Sequence, residues 1–273
     1  MNSIIYINCD VKSAYDEYSI RSRIKDRFCV ASQGESFIKE LGIKIAQVKL
    51  PPNFNNLAYM KNIERAKGFI KKGRVQLAPK TFRNLDYKIL NDYQKNFFAY
   101  SVVKSVQLML RIKNKSIKNS CIVVYDAEDF INRSIIFELA KVCKYFVLLS
   151  KNIKNIGVIS DYVISNYGVS PVVSNDFRYA LNNADFIITS RKIINNVTCP
   201  VWCLDNTYNP NLSETKFIND VFYNVPWQIE NNEMSIELLG AVLNIMGERD
   251  VEKSLSSSGI YIDKIKFNDI LTY

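Results

Sequence analysis

From residue 121 to residue 205, apolar runs of strand length alternate with amphipathic helical segments, and this alternation restricts the fold more than any other feature of the chain. CIVVYDA (121–127), YFVLLS (145–150), VSPVVS (169–174), DFIITS (185–190) and VWCLD (201–205) are the apolar runs. INRSIIFELAKVC (131–143), GVISDYVISNYG (157–168) and DFRYALNNA (176–184) carry helical periodicity between them. A strand that is apolar on both faces must be covered on both, and helices between such strands supply the cover. The pattern predicts a parallel sheet with helices on both faces, its first strand at 121–126 and flanking helices at 131–143 and 157–168.

The first half has another rhythm. SIIYINCD (3–10), FCVAS (28–32), IKIAQVKL (43–50) and RVQLAP (74–79) are strand candidates, and ESFIKELG (35–42) reads as a short helix closed by Gly42. Residues 55–72 form a helical pattern with a basic polar side, and 86–112 is the longest one, uninterrupted by Gly or Pro. The basic segment KNKSIKNS (113–120) is the expected boundary. The expected fold class is therefore α/β with two domains. They are a basic N-terminal α/β domain (1–117) that includes the long helix 86–112, and the parallel-sheet domain (118–230). A C-terminal helix and tail (231–273), centred on SIELLGAVLNIM (235–246), would be placed to pack back on the first domain.

The chain contains no histidine, which removes the commonest general base, the usual zinc ligand and the side chain that titrates near neutrality. Serine–histidine and cysteine–histidine hydrolases are excluded, so acid–base chemistry would fall to Lys, Asp, Glu, Tyr or Cys. The six cysteines form no CxxC pair and read as reduced structural thiols, with no metal site expected. No apolar run approaches the ~20 residues of a membrane-spanning helix, and the start lacks a basic leader, so a cytoplasmic protein with no membrane association is expected.

Charge is uneven. Residues 1–118 hold 23 Lys and Arg against 9 Asp and Glu, a net of +14, and the remainder holds 13 against 18, a net of −5. The asymmetry points either to an anionic partner for the first half or to attraction between the halves. Lys61, Arg65 and Lys72 share a helical face, but no helix-turn-helix, RNP or zinc-finger signature accompanies them, so a nucleic-acid role is not expected.

CIVVYDAEDFINRSIIFELAKVCKYFVLLSKN resembles the opening β–α–β of a Rossmann NAD(P)-binding domain, and NNADFIITS resembles a later strand of such domains. The layout is similar to that of shikimate/quinate dehydrogenases, and the resemblance covers about residues 118–205. It implies an NAD or NADP cofactor, an oxidoreductase activity and a catalytic lysine from the first domain, for which Lys80 in LAPKTFRNLDY (77–87) is the candidate. The fingerprint G-x-G-x-x-G departs completely. Its glycines would fall at Asp126, Glu128 and Ile131, and no glycine occurs from 74 to 156. Asp126, Glu128 and Asp129 instead place three carboxylates where a pyrophosphate would sit at a helix N-terminus, with Asp129 a candidate N-cap.

The second strand ends in Ser150-Lys151 rather than the acid that binds an NAD ribose, which would suit an NADP 2′-phosphate. Ser190 and Arg191, after the DFIITS strand, are placed to hold an anionic group. The first expectation is a Rossmann-like protein of dehydrogenase descent without a conventional dinucleotide site or cofactor. It would act as a non-catalytic or regulatory protein through an unknown protein partner, with homo-oligomerisation open. The alternatives are an NAD(P)-dependent oxidoreductase with an atypical phosphate loop, and a binder of an anionic small molecule through the basic first domain.

Overall fold

A computed structural model of the protein describes residues 2–70, 73, 75–192, 197–208, 216–229, 233–268 and 270–272. The chain divides into two compact units, one made of Met1–Lys95 and Phe222–Asp263, the other of Asn96–Val221 and Lys264–Tyr273. The elements of the first stretch are β1 (Asn2–Asn8), α1 (Ile20–Cys29), β2 (Ala31–Ile38), β3 (Ile43–Lys49), α2 (Asn56–Lys67), β4 (Val75–Lys80) and α3 (Arg83–Ile89). Then come α4 (Asp92–Ile112), β5 (Ile122–Tyr125), α5 (Asn132–Val142), β6 (Phe146–Leu149), α6 (Ile153–Tyr167) and β7 (Val172–Ser174). They are followed by α7 (Phe177–Asn182), β8 (Phe186–Thr189), β9 (Val201–Cys203) and β10 (Phe217–Ile218). The chain closes with β11 (Asp220–Asn224), β12 (Met234–Ser235), α8 (Ile236–Met246), α9 (Val251–Ser257), β13 (Tyr261–Phe267) and β14 (Ile270–Leu271).

The second unit contains the six-stranded sheet β10-β9-β8-β5-β6-β7, and every neighbouring pair in it is parallel. Counted from β5 as the first strand, the order is 3-2-1-4-5-6, the doubly wound Rossmann arrangement. Val124 lies opposite Leu148 on one side and Ile188 on the other, and all three are fully buried. Burial of each such side chain stabilises the sheet by roughly 1.5–3 kcal/mol. The alternation that marks residues 121–205 thus has its expected outcome, a parallel sheet flanked by helices.

The long helical pattern is two helices. Leu90 takes extended dihedrals and ends α3, and the Asn91 side chain accepts a hydrogen bond from the Gln94 amide at 2.8 Å to start α4. From Asn96 onward α4 belongs to the second unit, where its buried Ser105 hydroxyl accepts from the Trp202 indole at 2.9 Å and Phe98 meets the Trp202 ring edge-on. The basic segment after α4 is also held there, by an ion pair from Lys115 to Asp185, whose other oxygen accepts from the Cys121 amide. The division between units accordingly falls at Lys95/Asn96 rather than in the basic segment.

The first unit has a sheet ordered β2-β3-β1-β4, in which β1 runs parallel to β3 and β4 while β2 is an antiparallel edge. Ile5, Ile7, Val48, Tyr59, Ile63 and Phe82 pack together beneath it, and α8 lies against β4 and β1. Two expectations fail here. Phe28 and Cys29 end a helix rather than opening a strand, and residues 35–38 belong to strand β2, with only the turn Lys39–Leu41 before Gly42 helical. The inward positions of α1 are Ser22 and Asp26, so it carries no apolar face toward the core; a Ser19–Ser22 capping box starts it. The edge strand β2 buries only Ser36 and Ile38 and bulges at Gly34, whose φ of 121° only glycine adopts readily, so it shows no hydrophobic alternation. Of the basic residues on α2, Lys61 meets the Tyr18 hydroxyl and Arg65 the Asn62 side chain, while Lys72 lies outside the described residues.

Candidate functional site

In the second unit the chain reverses its direction of winding between β5 and β8, and in open α/β sheets ligands bind beside the carboxyl ends of strands at such a point. Directly after β5 stands Asp126, with φ 53° in the left-handed region. The following turns are closed by the Asp129 amide donating to the Asp126 carbonyl at 3.0 Å and the Asn132 amide donating to the Asp129 carbonyl at 2.9 Å. The chain then enters α5 through Ile131, which is already helical and provides no side-chain cap.

Asp129 is therefore not the N-cap expected of it. Its carboxylate is engaged across the sheet, accepting from the Ser190 hydroxyl and from the Arg191 guanidinium at 3.0 Å. The Arg191 Nε also lies 3.7 Å from the Asp126 carboxylate. Behind them the fully buried Asn132 donates through Nδ2 to the Asp126 carbonyl at 2.8 Å and to Ser190 Oγ at 3.3 Å, while its Oδ1 has no hydrogen-bond partner among the described residues. Burial raises the Asp126 carboxyl above the ordinary range; Arg191 pulls it down, and Asp129 and Glu128 push it up. The hydrogen bond and charge of Asp129, reinforced by Asp126, hold the Arg191 proton more firmly than usual.

Four of the residues singled out from sequence, Asp126, Asp129, Ser190 and Arg191, thus form one cluster, and Glu128 borders it. Arg191, expected to receive an external anion, is ion-paired to the protein's own acids. Ser150 is buried in the turn after β6, accepting from the Asn152 amide at 3.0 Å and donating its own amide to the Ser174 carbonyl at 3.1 Å. Lys151 beside it is exposed, and its charge is felt at Asp126. Asn132 carries no signal in the sequence, because a buried amide at the start of a helix looks like any other polar residue there.

Lys80 lies in the first unit, at the last position of β4, its ammonium 4.4 Å from the centroid of the Phe222 ring. Next to it in sequence is a buried polar network that the spacing of residues does not reveal. The Asp86 carboxylate accepts from the Tyr59 hydroxyl at 2.5 Å, from Thr81 Oγ1 at 2.6 Å and from the Thr81 amide at 2.7 Å. Burial, opposed by these hydrogen bonds, pushes Asp86 up to about 6. Burial and the Asp86 charge push the nearby Cys9 thiol up to about 12, so it is a poor nucleophile. Arg83 and Glu237, both buried, form an ion pair at 3.4 Å. Among the described residues no group of three His, Cys, Asp or Glu is arranged to hold a metal ion, and no helix is long and apolar enough to cross a membrane.

No family model matches the chain, and no curated protein sequence matches it. Among solved structures it is similar to L-tryptophan dehydrogenase from Nostoc punctiforme, at 10% identity and a TM-score of 0.41, over 94% of this chain and 78% of that one. It is also similar to shikimate 5-dehydrogenase from Listeria monocytogenes, at 8% identity and a TM-score of 0.38, over 80% and 86% of the two chains. A third is quinate dehydrogenase from Corynebacterium glutamicum, at 10% identity and a TM-score of 0.37, over 75% and 80%.

Proposed function

We propose that the chain is a non-catalytic, regulatory protein on a Rossmann-type scaffold, in which an internal ion pair takes the position that a dinucleotide's pyrophosphate would fill. The observation that carries this reading is Arg191 bound between Asp126 and Asp129 at the ends of β5 and β8. A pyrophosphate brought to that point would meet the charges of Asp126, Glu128 and Asp129, and the guanidinium of Arg191 is already ion-paired to two of them. None of the three glycines that let a backbone approach a pyrophosphate is present. The residues do not fit the dinucleotide that the fold would otherwise suggest, so function is assigned to contacts with a protein partner.

The test is calorimetric titration of the purified protein with NAD+, NADH, NADP+ and NADPH. The expected result is no binding at micromolar concentrations, whereas a Kd near 1 μM, about −8 kcal/mol, would reject the reading.

One observation favours a second reading, an NAD(P)-dependent oxidoreductase with an atypical phosphate loop. Asp126 holds a positive φ, the backbone conformation that the first fingerprint glycine ordinarily supplies, so the turn itself is preserved. On that reading Arg191 would leave its carboxylates for the phosphates, Ser150 and Lys151 would lie on the ribose side, and Lys80 would be the catalytic lysine. Tight nucleotide binding in the same titration is its required outcome.

A further inference from the structure

Helix α1 is built inside out. Ile20, Ile24 and Phe28, spaced by four, form one stripe along it, and they are 75%, 55% and 82% exposed. Its buried side is polar, with Asp26 accepting from Tyr15, Asn53 and Asn62. At about 100° per residue, Arg23 and Arg27 fall along one edge of the apolar stripe and Arg21 and Lys25 along the other. All four are exposed, and the only acid in the helix, Asp26, points into the fold. Asp16 and Glu17 are exposed too, but they precede the helix.

We propose that α1 is a docking element for an anionic lipid surface, with Ile20, Ile24 and Phe28 entering the headgroup boundary and the four basic residues meeting lipid phosphates and carboxylates. An apolar stripe edged by cations on both sides is the pattern of a helix that lies on a bilayer rather than crossing it. Charge complementarity selects this occupant over a second copy of the chain, because apposing two such stripes would bring eight cations together. A protein groove that grips a helix around its circumference is disfavoured as well, since the Ser22–Asp26 side is already docked on its own fold. The inference concerns the first unit alone and goes beyond the reading given for the second, so the nucleotide titration neither supports nor weakens it.

The experiment is co-sedimentation of the full-length protein with vesicles of phosphatidylcholine alone and of phosphatidylcholine with phosphatidylserine. Binding is expected only to the anionic vesicles and should fall with added salt. Arg27→Gln should weaken it about fivefold, and Arg23→Gln with Arg27→Gln about twenty-five-fold. Phe28→Ser should weaken it about tenfold or more. Circular dichroism checks that the variants stay folded, and the arginine pair carries the test if Phe28→Ser does not fold. Failure to sediment with anionic vesicles, equal binding to neutral ones, or variants that bind like the parent would overturn the proposal. So would a dimer, seen by sedimentation equilibrium, that Phe28→Ser dissociates, since the stripe would then belong to a second copy.

Discussion

Asp129 and Arg191, 62 positions apart in the chain, are hydrogen-bonded at 3.0 Å beyond the ends of the adjacent strands β5 and β8. The Arg191 side chain is 60% exposed, so solvent screens the pair and its contribution is modest. Replacing Arg191 with alanine should lower stability by about 0.5–1 kcal/mol, and the loss should shrink at high salt. The same change should raise the Asp126 carboxyl further, because Arg191 is the main influence holding it down. Urea melts at two ionic strengths and a carboxyl titration by NMR check both parts. A variant as stable as the parent, with Asp126 unmoved, would mean that the cluster does not hold together in solution.

Asp126 and Glu128 should respond oppositely to glycine. The left-handed φ of Asp126 strains a residue with a Cβ by about 1 kcal/mol, which glycine relieves. Asp126→Gly should thus be neutral or stabilising, and Asp126→Ala destabilising by about 1 kcal/mol, since alanine keeps the strain and loses the ion pair. Glu128 is not among the residues with positive φ, so Glu128→Gly should cost roughly 0.5–1 kcal/mol through the entropy of the unfolded chain. Denaturant melts of the three single variants decide it, and a strongly destabilised Asp126→Gly would show that its carboxylate matters more than its backbone.

These two positions also mark how far the sequence can be read. The sheet around Val124 was legible because a strand buried on both faces must be apolar throughout, and Ile122–Val124 and Phe186–Ile188 are. The positions of Asp126, Asp129, Ser190 and Arg191 were legible too, since strand ends fix which loops meet. Their pairing was not, because three acids at a helix start suggest capping, and which acid Arg191 reaches depends on the path of the turn. Helix α1 and strand β2 escaped for another reason. Both rest on polar contacts, Asp26 with Asn53 and Asn62 and an edge pairing to β3, which leave no hydrophobic period.

Asp26 should be the residue on which the seating of α1 depends. It is 1% exposed, and it accepts from the Tyr15 hydroxyl at 2.6 Å and from the amides of Asn53 and Asn62 at 2.9 and 3.2 Å. Asp26→Ala would strand these donors in a buried site, at a cost of about 3 kcal/mol. Amide exchange along Ile20–Cys29 should quicken in the variant. The Tyr15 hydroxyl, held above its usual range by burial and by Asp26, should titrate lower. Unchanged exchange in α1 would show that other contacts hold the helix.

Asp86 should impose a pH dependence of the opposite sign to that of most carboxylates. Burial raises it from 3.8 to about 6 despite the hydrogen bonds from Thr81 and Tyr59. The folded state therefore binds this proton more tightly than the unfolded chain. Its contribution is fully present below about pH 4, the unfolded value, and is lost as pH rises through about 6. Carboxylates such as Asp185, lowered by the hydrogen bond and charge of Lys115 and by the Cys121 amide, act the other way. The total curve mixes both kinds, so the measurement is a difference. Asp86→Asn keeps the shape of the side chain but cannot ionise, and its stability should gain relative to the parent as pH rises from 4 to 7. Tyr59, which burial and then the Asp86 charge hold well above the usual tyrosine range, should titrate lower in the same variant. Urea melts at steps across that interval test the first effect, and an alkaline titration of the Tyr59 ring by NMR in parent and variant tests the second. Parallel stability curves for the two proteins would mean that Asp86 is ionised at an ordinary value in the folded state, with its three hydrogen bonds outweighing its burial.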